Sequence, residues 1–114
     1  MTAYTLPCVE TENGMVNLTI PFCIRVCPAR SGDVAAQFVL DVNLTGVFYV
    51  TQAVLPSMMA RRTGRIINIS SVAGLRGILN QSVYCASKHA LNGLTKALAM
   101  ELREYGVGVH AICP

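Results

Sequence analysis

Residues 65–70, which read Arg-Ile-Ile-Asn-Ile-Ser, decide the fold of this 114-residue chain. The stretch is short, rich in β-branched isoleucine, and apolar at positions that would point to both sides of a sheet. A parallel strand has this composition, because helices cover a parallel sheet on both faces. The sequence therefore predicts a buried parallel strand at residues 65–70.

A long helix is predicted before this strand. Ser31 or Asp33 would cap its start, Pro56 would kink it near its end, and Gly64 would close it. Its apolar positions recur at helical spacing and predict one buried face, made of Val39, Leu40, Leu44, Val47, Phe48 and Val54.

A second helix is predicted after the strand and after a loop whose flexible points would be Gly74 and Gly77. It would begin near Asn80–Ser82 and end at Gly106, a good left-handed cap. Two stripes follow its helical spacing. One is apolar, with Leu91, Leu94, Leu98 and Leu102, and the other is made of small residues, Ala86, Ala90, Gly93 and Ala97. The small stripe suits close packing against either another chain or the chain's own sheet.

A second strand is expected at residues 107–113, which gives the order helix, strand, helix, strand. This order with short connections is typical of an α/β fold with a right-handed crossover between parallel strands. Residues 33–114 form the regular part of the chain. Residues 1–32 are irregular and broken by proline and glycine, with one expected strand at Met15–Ile20.

Composition restricts the classes of function. Hydrophobic residues make up 53% of the chain and charged residues 13%, which excludes intrinsic disorder. The net charge of +3 is spread along the chain, so a nucleic-acid partner is not expected. The five cysteines are irregularly spaced and form no CxxC pair, so reduced thiols and no metal site are expected. A cytoplasmic location is therefore expected, with an organelle matrix as the alternative. The apolar stretch at residues 15–27 is interrupted by polar residues and proline, so no membrane span is expected there.

Tyr84 and Lys88 are the first candidates for chemistry. Residues four apart on a helix emerge on one face, one above the other. A phenol transfers its proton poorly at neutral pH, and a nearby ammonium stabilises the phenolate. The pair therefore suits general acid–base work on a hydroxyl or carbonyl, although the same spacing also occurs on ordinary helix surfaces.

Ser71 and Asn43 extend this candidate site. Ser71 follows the predicted strand at its carboxyl end, the edge at which open α/β sheets bind ligands. Its hydroxyl could hold the same substrate oxygen as Tyr84, or it could simply terminate the strand. Asn43 lies between apolar residues of the first helix. It would be either an ordinary internal amide or the anchor of a water in a proton path to Lys88.

Three stretches together resemble the short-chain dehydrogenase/reductase family. They are residues 41–48 (Asp-Val-Asn-Leu-Thr-Gly-Val-Phe), residues 66–74 (Ile-Ile-Asn-Ile-Ser-Ser-Val-Ala-Gly) and residues 84–88 (Tyr-Cys-Ala-Ser-Lys). The similarity runs from about residue 33 to Pro114. It is about equal for 3-oxoacyl-[acyl-carrier-protein] reductases and for broad alcohol or polyol dehydrogenases, and it leaves the substrate open.

The resemblance implies a partial Rossmann-like, doubly wound parallel sheet and a role for each matched residue. Tyr84 would be the acid/base, and Ser71 would orient the substrate carbonyl. Lys88 would favour the phenolate of Tyr84 and, with Tyr84, bind the nicotinamide ribose. Asn43 would support a water-mediated proton relay. Hydride would pass between NAD or NADP and a small carbonyl or alcohol substrate, because no side chain carries hydride. The family resemblance assigns no such role to His89 or His110.

The sequence also departs from the family pattern. It contains no glycine-rich G-x-x-x-G-x-G or G-x-G-x-x-G phosphate-binding turn. In place of the family's Asn-Asn-Ala-Gly turn, residues 16–19 read Val-Asn-Leu-Thr, which would be at most a remnant of that turn and its fourth strand. We therefore expect a domain truncated at both ends, with little or no activity alone. The alternative functions are an interaction module that pairs with like or full-length subunits as an oligomer, or a decayed gene product.

Overall fold

The computed structural model describes residues 9–10, 15–18 and 33–114, with side chains from residue 36 onward. Its four strands form one sheet in the order β1-β2-β3-β4, namely β1 (Val9–Glu10), β2 (Met15–Leu18), β3 (Gly64–Ile69) and β4 (Val107–Ile112). Strands β2, β3 and β4 are parallel, and only β1 runs antiparallel. The parallel strand predicted at residues 65–70 is therefore confirmed, together with the α/β layout. The strand expected at Met15–Ile20 is present as β2. Its interpretation as a remnant of a fourth strand stays a prediction.

The structure divides the first predicted helix into three consecutive helical segments. Helix α1 covers Asp33–Leu40, a π-helix covers Asp41–Thr45, and helix α2 covers Gly46–Arg61. Pro56 lies inside α2, which continues past it to Arg61, and the predicted kink at this proline stays a prediction. The predicted cap at Gly64 is wrong, because Arg62 takes the left-handed conformation with φ 52° and Gly64 already belongs to β3.

Helix α3 covers Ser82–Glu101, a 3-10 turn follows at Arg103–Tyr105, and Gly106 has φ 72°. The predicted second helix is confirmed, but its predicted end is wrong: α3 ends at Glu101 with Leu102 in a right-handed conformation, and the left-handed Gly106 caps the 3-10 turn that follows. Its leucine stripe contributes to the buried core, which consists of Val47, Met58, Ile66, Leu91, Leu98, Leu102, Val107 and Val109. The small-residue stripe does not cover the chain's own sheet, because Ala86, Gly93 and Ala97 are exposed.

Two further expectations are corrected. Phe48 was expected on the buried face of the first helix but is 39% exposed. Gly74 was expected to be a flexible point but is buried in a 3-10 turn at Val72–Gly74. A Cβ at Gly74 would lie 2.7–2.8 Å from Asn92 Nδ2, the Lys88 carbonyl oxygen and Ser70 Oγ. This glycine is needed for a close approach of the loop to α3.

One helical stretch of the described residues, Ala36–Arg61, is long and apolar enough to cross a membrane by length and composition, with a mean hydropathy of 1.5. Core helices of globular proteins meet the same criterion, and 22% of the apolar window of this stretch is buried. Val47 and Met58 from this stretch contribute to the core beside β3. The stretch at residues 15–27 lies mostly outside the described residues.

Candidate active site

The candidate site lies at the carboxyl end of β3. The β3–β4 pairing continues past the last strand residue, since Ser70 N donates to the Ile112 carbonyl at 2.7 Å and Val72 N donates to the Pro114 carbonyl at 2.8 Å. Ser71 has extended backbone and caps the following 3-10 turn by accepting a hydrogen bond from Ala73 N at 3.2 Å. The strand therefore delivers a half-buried Ser71 to the edge at which α/β sheets bind ligands.

Lys88 and Tyr84 meet on α3 as their spacing predicts. The Lys88 ammonium nitrogen lies 5.6 Å from the centroid of the Tyr84 ring. Lys88 is 4% exposed, whereas Tyr84 is only half-buried. A cation this close to an aromatic face is attracted to it. The pair therefore combines a fixed, buried charge with a phenol that solvent can reach.

Two hydrogen bonds join Lys88 to the end of β3. Lys88 Nζ donates to the Ile69 carbonyl at 2.9 Å, and Ser70 Oγ donates to the Lys88 carbonyl at 3.3 Å. A buried ammonium needs such partners, because its removal from water is costly. These two bonds fix the first turns of α3 against the strand end that carries Ser71.

Asn43 is 3% exposed and lies at the centre of the π-helix. Its side-chain amide donates to Ser87 Oγ at 3.1 Å. Single π-turns within helices occur often at functional sites. Asn43 therefore contacts α3 one residue before Lys88, while the expected water path to Lys88 stays a prediction.

Sequence reasoning missed several buried polar residues of α3. Ser87 Oγ donates to the Tyr84 carbonyl at 2.7 Å, Asn92 Nδ2 donates to the Gly74 carbonyl at 2.9 Å, and Thr95 Oγ1 accepts from Asn68 Nδ2 at 2.9 Å. Ser87, Asn92 and Thr95 lie on the helix face that also carries Leu91 and Leu98. Their polar side chains at core positions of an amphipathic helix are the feature of the sequence that could have identified them.

The remaining candidates behave differently. His89 and His110 are exposed, and His89 Nδ1 is 2.9 Å from the Cys85 carbonyl oxygen. Cys85 and Cys113 are free thiols, and the other three cysteines lie outside the described residues. Within residues 9–10, 15–18 and 33–114, no three histidine, cysteine or acidic side chains are placed to hold a metal ion.

A cavity of about 520 Å³ lies between α3 and β4, but none of Asn43, Ser71, Tyr84 and Lys88 lines it.

The site fits one end of a nicotinamide nucleotide. Ser71 follows β3 directly, the Lys88 ammonium donates to the Ile69 carbonyl at the end of the same strand, and the half-buried Tyr84 ring lies 5.6 Å from that ammonium. These are donor and acceptor groups suited to ribose hydroxyls and a carbonyl. The part of the chain that the structure describes has no glycine-rich turn that would cradle the pyrophosphate.

Comparison with known proteins gives a consistent result. Residues 28–114 match the family model described as short chain dehydrogenase. A 3-oxoacyl-[acyl-carrier-protein] reductase from Synechocystis is 50% identical over 78 residues, which are 68% of this chain and 32% of the relative. Two curated Streptomyces relatives match over 93% and 98% of this chain, which spans 42% and 43% of their lengths.

Solved structures agree with the sequence matches. An acetoin dehydrogenase from Salmonella typhimurium superposes with a TM-score of 0.83 at 31% identity, over 88% of this chain and 42% of that one. A 4-hydroxyisoleucine dehydrogenase complexed with NADH and succinate superposes with a TM-score of 0.84 at 31% identity, over 93% of this chain and 50% of that one. The partial Rossmann-like α/β fold is thereby confirmed.

Proposed function

Because the chain belongs to the short-chain dehydrogenase family, we propose that it carries the proton-transfer segment of a nicotinamide-dependent oxidoreductase for small carbonyl or secondary alcohol substrates. The observation that carries the proposal is the 5.6 Å distance between the Lys88 ammonium and the Tyr84 ring, at the strand end that presents Ser71. The NADH named in the structure of a relative supports a nicotinamide cofactor. Either NAD or NADP fits the proposal.

Each residue has a separate task in the proposed reaction. The Ser71 hydroxyl donates to the substrate carbonyl oxygen and orients it. The Tyr84 phenol gives its proton to that oxygen during reduction and takes it back during oxidation. The Lys88 ammonium stabilises the phenolate left on Tyr84 and, with Tyr84, binds the nicotinamide ribose. The bound nicotinamide supplies or accepts the hydride.

A segment exchange tests this proposal. The 78 residues of this chain that align with the Synechocystis reductase replace the matching stretch of that enzyme, and the hybrid is assayed with a 3-oxoacyl thioester and with NADH or NADPH. We expect the hybrid to oxidise the reduced cofactor in a substrate-dependent manner, because the relative's remaining sequence supplies the rest of the domain. The 114-residue chain alone serves as the comparison and is expected to show little or no turnover. A hybrid that folds and binds the cofactor but does not turn over would contradict the proposal.

A second candidate function is that of an interaction module, and the exposure of α3 favours it. Ala86, Gly93 and Ala97 line the outward side of this helix, and Met100 beside them is 79% exposed. Small residues allow a second helix to approach closely, and an exposed methionine gains by burial. We propose that this outward side of α3 pairs with a second copy of the chain or with a full-length relative. This pairing can coexist with catalysis.

A further inference from the structure

We propose that Ser87 is a positioning residue that links the π-helix to the backbone of Tyr84 and thereby holds the Tyr84 ring beside Lys88. The inference rests on the proposed function of Tyr84 and adds a residue to that site. The proposal concerns the positioning of Tyr84, and it does not place Ser87 in contact with substrate or cofactor.

The first observation is the double use of the Ser87 hydroxyl. Ser87 is fully buried, its Oγ donates to the Tyr84 carbonyl at 2.7 Å, and it accepts from Asn43 Nδ2 at 3.1 Å. A hydroxyl has one hydrogen to donate and lone pairs with which to accept. Because an amide nitrogen can only donate, the direction of both bonds is fixed. Asn43, Ser87 and the Tyr84 carbonyl therefore form one directed chain.

The second observation is where this chain begins and ends. Asn43 and Ser87 are 44 residues apart, so the bond between their side chains joins two separate elements. A serine that bonds only the carbonyl of its own preceding turn is common in helices. Here the same oxygen is also held from outside the helix, by a π-helix of five residues. Movement of α3 relative to the π-helix would break the bond.

The third observation is the position of Ser87 between the two residues of the proposed site. Lys88 follows it directly and is bound to the end of β3 through the Ile69 carbonyl. Tyr84 precedes it by one helical turn, and the carbonyl that Ser87 holds belongs to Tyr84 itself. Lys88 is thus fixed by the sheet and Tyr84 by the π-helix. Loss of the Ser87 hydroxyl would release only the second of these supports.

The experiment measures the ring-current shift that the Tyr84 ring imposes on the ε-methylene protons of Lys88, by NMR on the 114-residue chain. Tyr84→Leu, which has no aromatic ring at this position, gives the reference chemical shift of the Lys88 protons. We expect Ser87→Ala to reduce the shift, because a ring-current shift falls steeply with distance and the Tyr84 ring centroid now lies 5.6 Å from the Lys88 ammonium nitrogen. Ser82→Ala, at an exposed position of the same helix, is the matched control and should leave the shift unchanged.

Two further variants keep the test decisive. Ser87→Thr retains the hydroxyl and should restore the shift. Ser87→Cys keeps the space filled with a slightly larger atom but has only a weak donor, so it should reproduce the loss even where Ser87→Ala does not fold. An unchanged Lys88 shift in a folded Ser87→Ala or Ser87→Cys chain would overturn the proposal, as would failure to restore the shift in a Ser87→Thr chain that is as stable as the parent chain. This readout requires no cofactor and no turnover, so its failure is distinguishable from failure of the proposed function.

Discussion

At the scale of single residues, Gly74 shows how tightly the loop after β3 is held. The loop packs on α3 through the Asn92–Gly74 hydrogen bond, and the glycine has no room for a side chain. A loop glycine that supplies flexibility and one that permits close contact look alike in a sequence. The structure alone separates these two roles.

The first prediction follows from this contact. Gly74→Ala should lower the free energy of unfolding by about 1–3 kcal/mol, because a Cβ would overpack a site that includes the Lys88 backbone. Urea unfolding followed by circular dichroism measures the change. Gly77→Ala is the matched control, since a Cβ there meets nothing within 4 Å, and its effect should stay within about 0.5 kcal/mol. Equal effects of the two variants would contradict the packing interpretation.

The sequence predicted part of the site at this scale. Helical spacing placed Tyr84 and Lys88 together, and the strand pattern placed Ser71 at the sheet edge, because both follow from local geometry. The partners of Ser87 could not be predicted, since the contact with Asn43 depends on how two distant helices pack. Burial of Asn43 was expected from its apolar neighbours and is observed.

At the scale of elements, the helix ends were the least predictable features. The first helix was expected to end at Gly64, but Arg62 adopts the left-handed conformation instead. The Arg62 guanidinium donates to the Glu104 carbonyl oxygen, in the 3-10 turn that follows α3. A tertiary contact thus accompanies an unfavourable backbone conformation, and local glycine placement does not reveal it. The second helix ends at Glu101, five residues before the expected Gly106, which takes the left-handed conformation at the end of the 3-10 turn instead.

The second prediction concerns this junction. Gly106→Ala should destabilise the chain by at least about 1–2 kcal/mol, because a left-handed alanine is strained and its Cβ would collide with the Arg62 carbonyl. The midpoint of urea unfolding should fall accordingly. A variant as stable as the parent chain would show that the two helix ends do not pack as described.

The third prediction is an increase in stability. Gly93 lies in the interior of α3, and a Cβ there meets nothing within 4 Å. Gly93→Ala should therefore stabilise the chain by about 0.8–1 kcal/mol, the difference in helix propensity between the two residues. Thermal unfolding at a concentration low enough to avoid association would measure the gain. Destabilisation would mean that something in the folded chain occupies this position.

At the scale of the whole molecule, the outward sides of α2 and α3 carry large apolar residues. Tyr49 is 65% exposed and Met100 is 79% exposed. The sequence predicted an α/β order with parallel strands, because hydrophobic periodicity reports the faces of single elements. It could not decide which face of α3 covers the sheet. That choice depends on the tertiary position of the small-residue stripe.

The fourth prediction tests the proposed pairing surface. We expect the chain to self-associate, and we expect Met100→Glu to raise the dissociation constant at least about tenfold, which corresponds to 1.4 kcal/mol. A carboxylate buried at such a contact would lose its hydration without a partner. Leu79→Glu is the control, since Leu79 is 88% exposed but lies outside both helices. Sedimentation equilibrium that shows equal association for both variants would exclude this side of α3.

The most direct measurement of the central claim is the kcat of the Synechocystis hybrid with Tyr84→Phe. The substitution removes only the phenolic oxygen, so the fold and the ring beside Lys88 should remain. We expect kcat to fall by about two to four orders of magnitude, the usual contribution of a positioned acid/base. Tyr105→Phe, on the turn after α3, should leave kcat within about twofold, since the Tyr105 ring packs against the core and the substitution keeps that ring. A hybrid whose kcat is unaffected by Tyr84→Phe would contradict the assignment of Tyr84 as the acid/base.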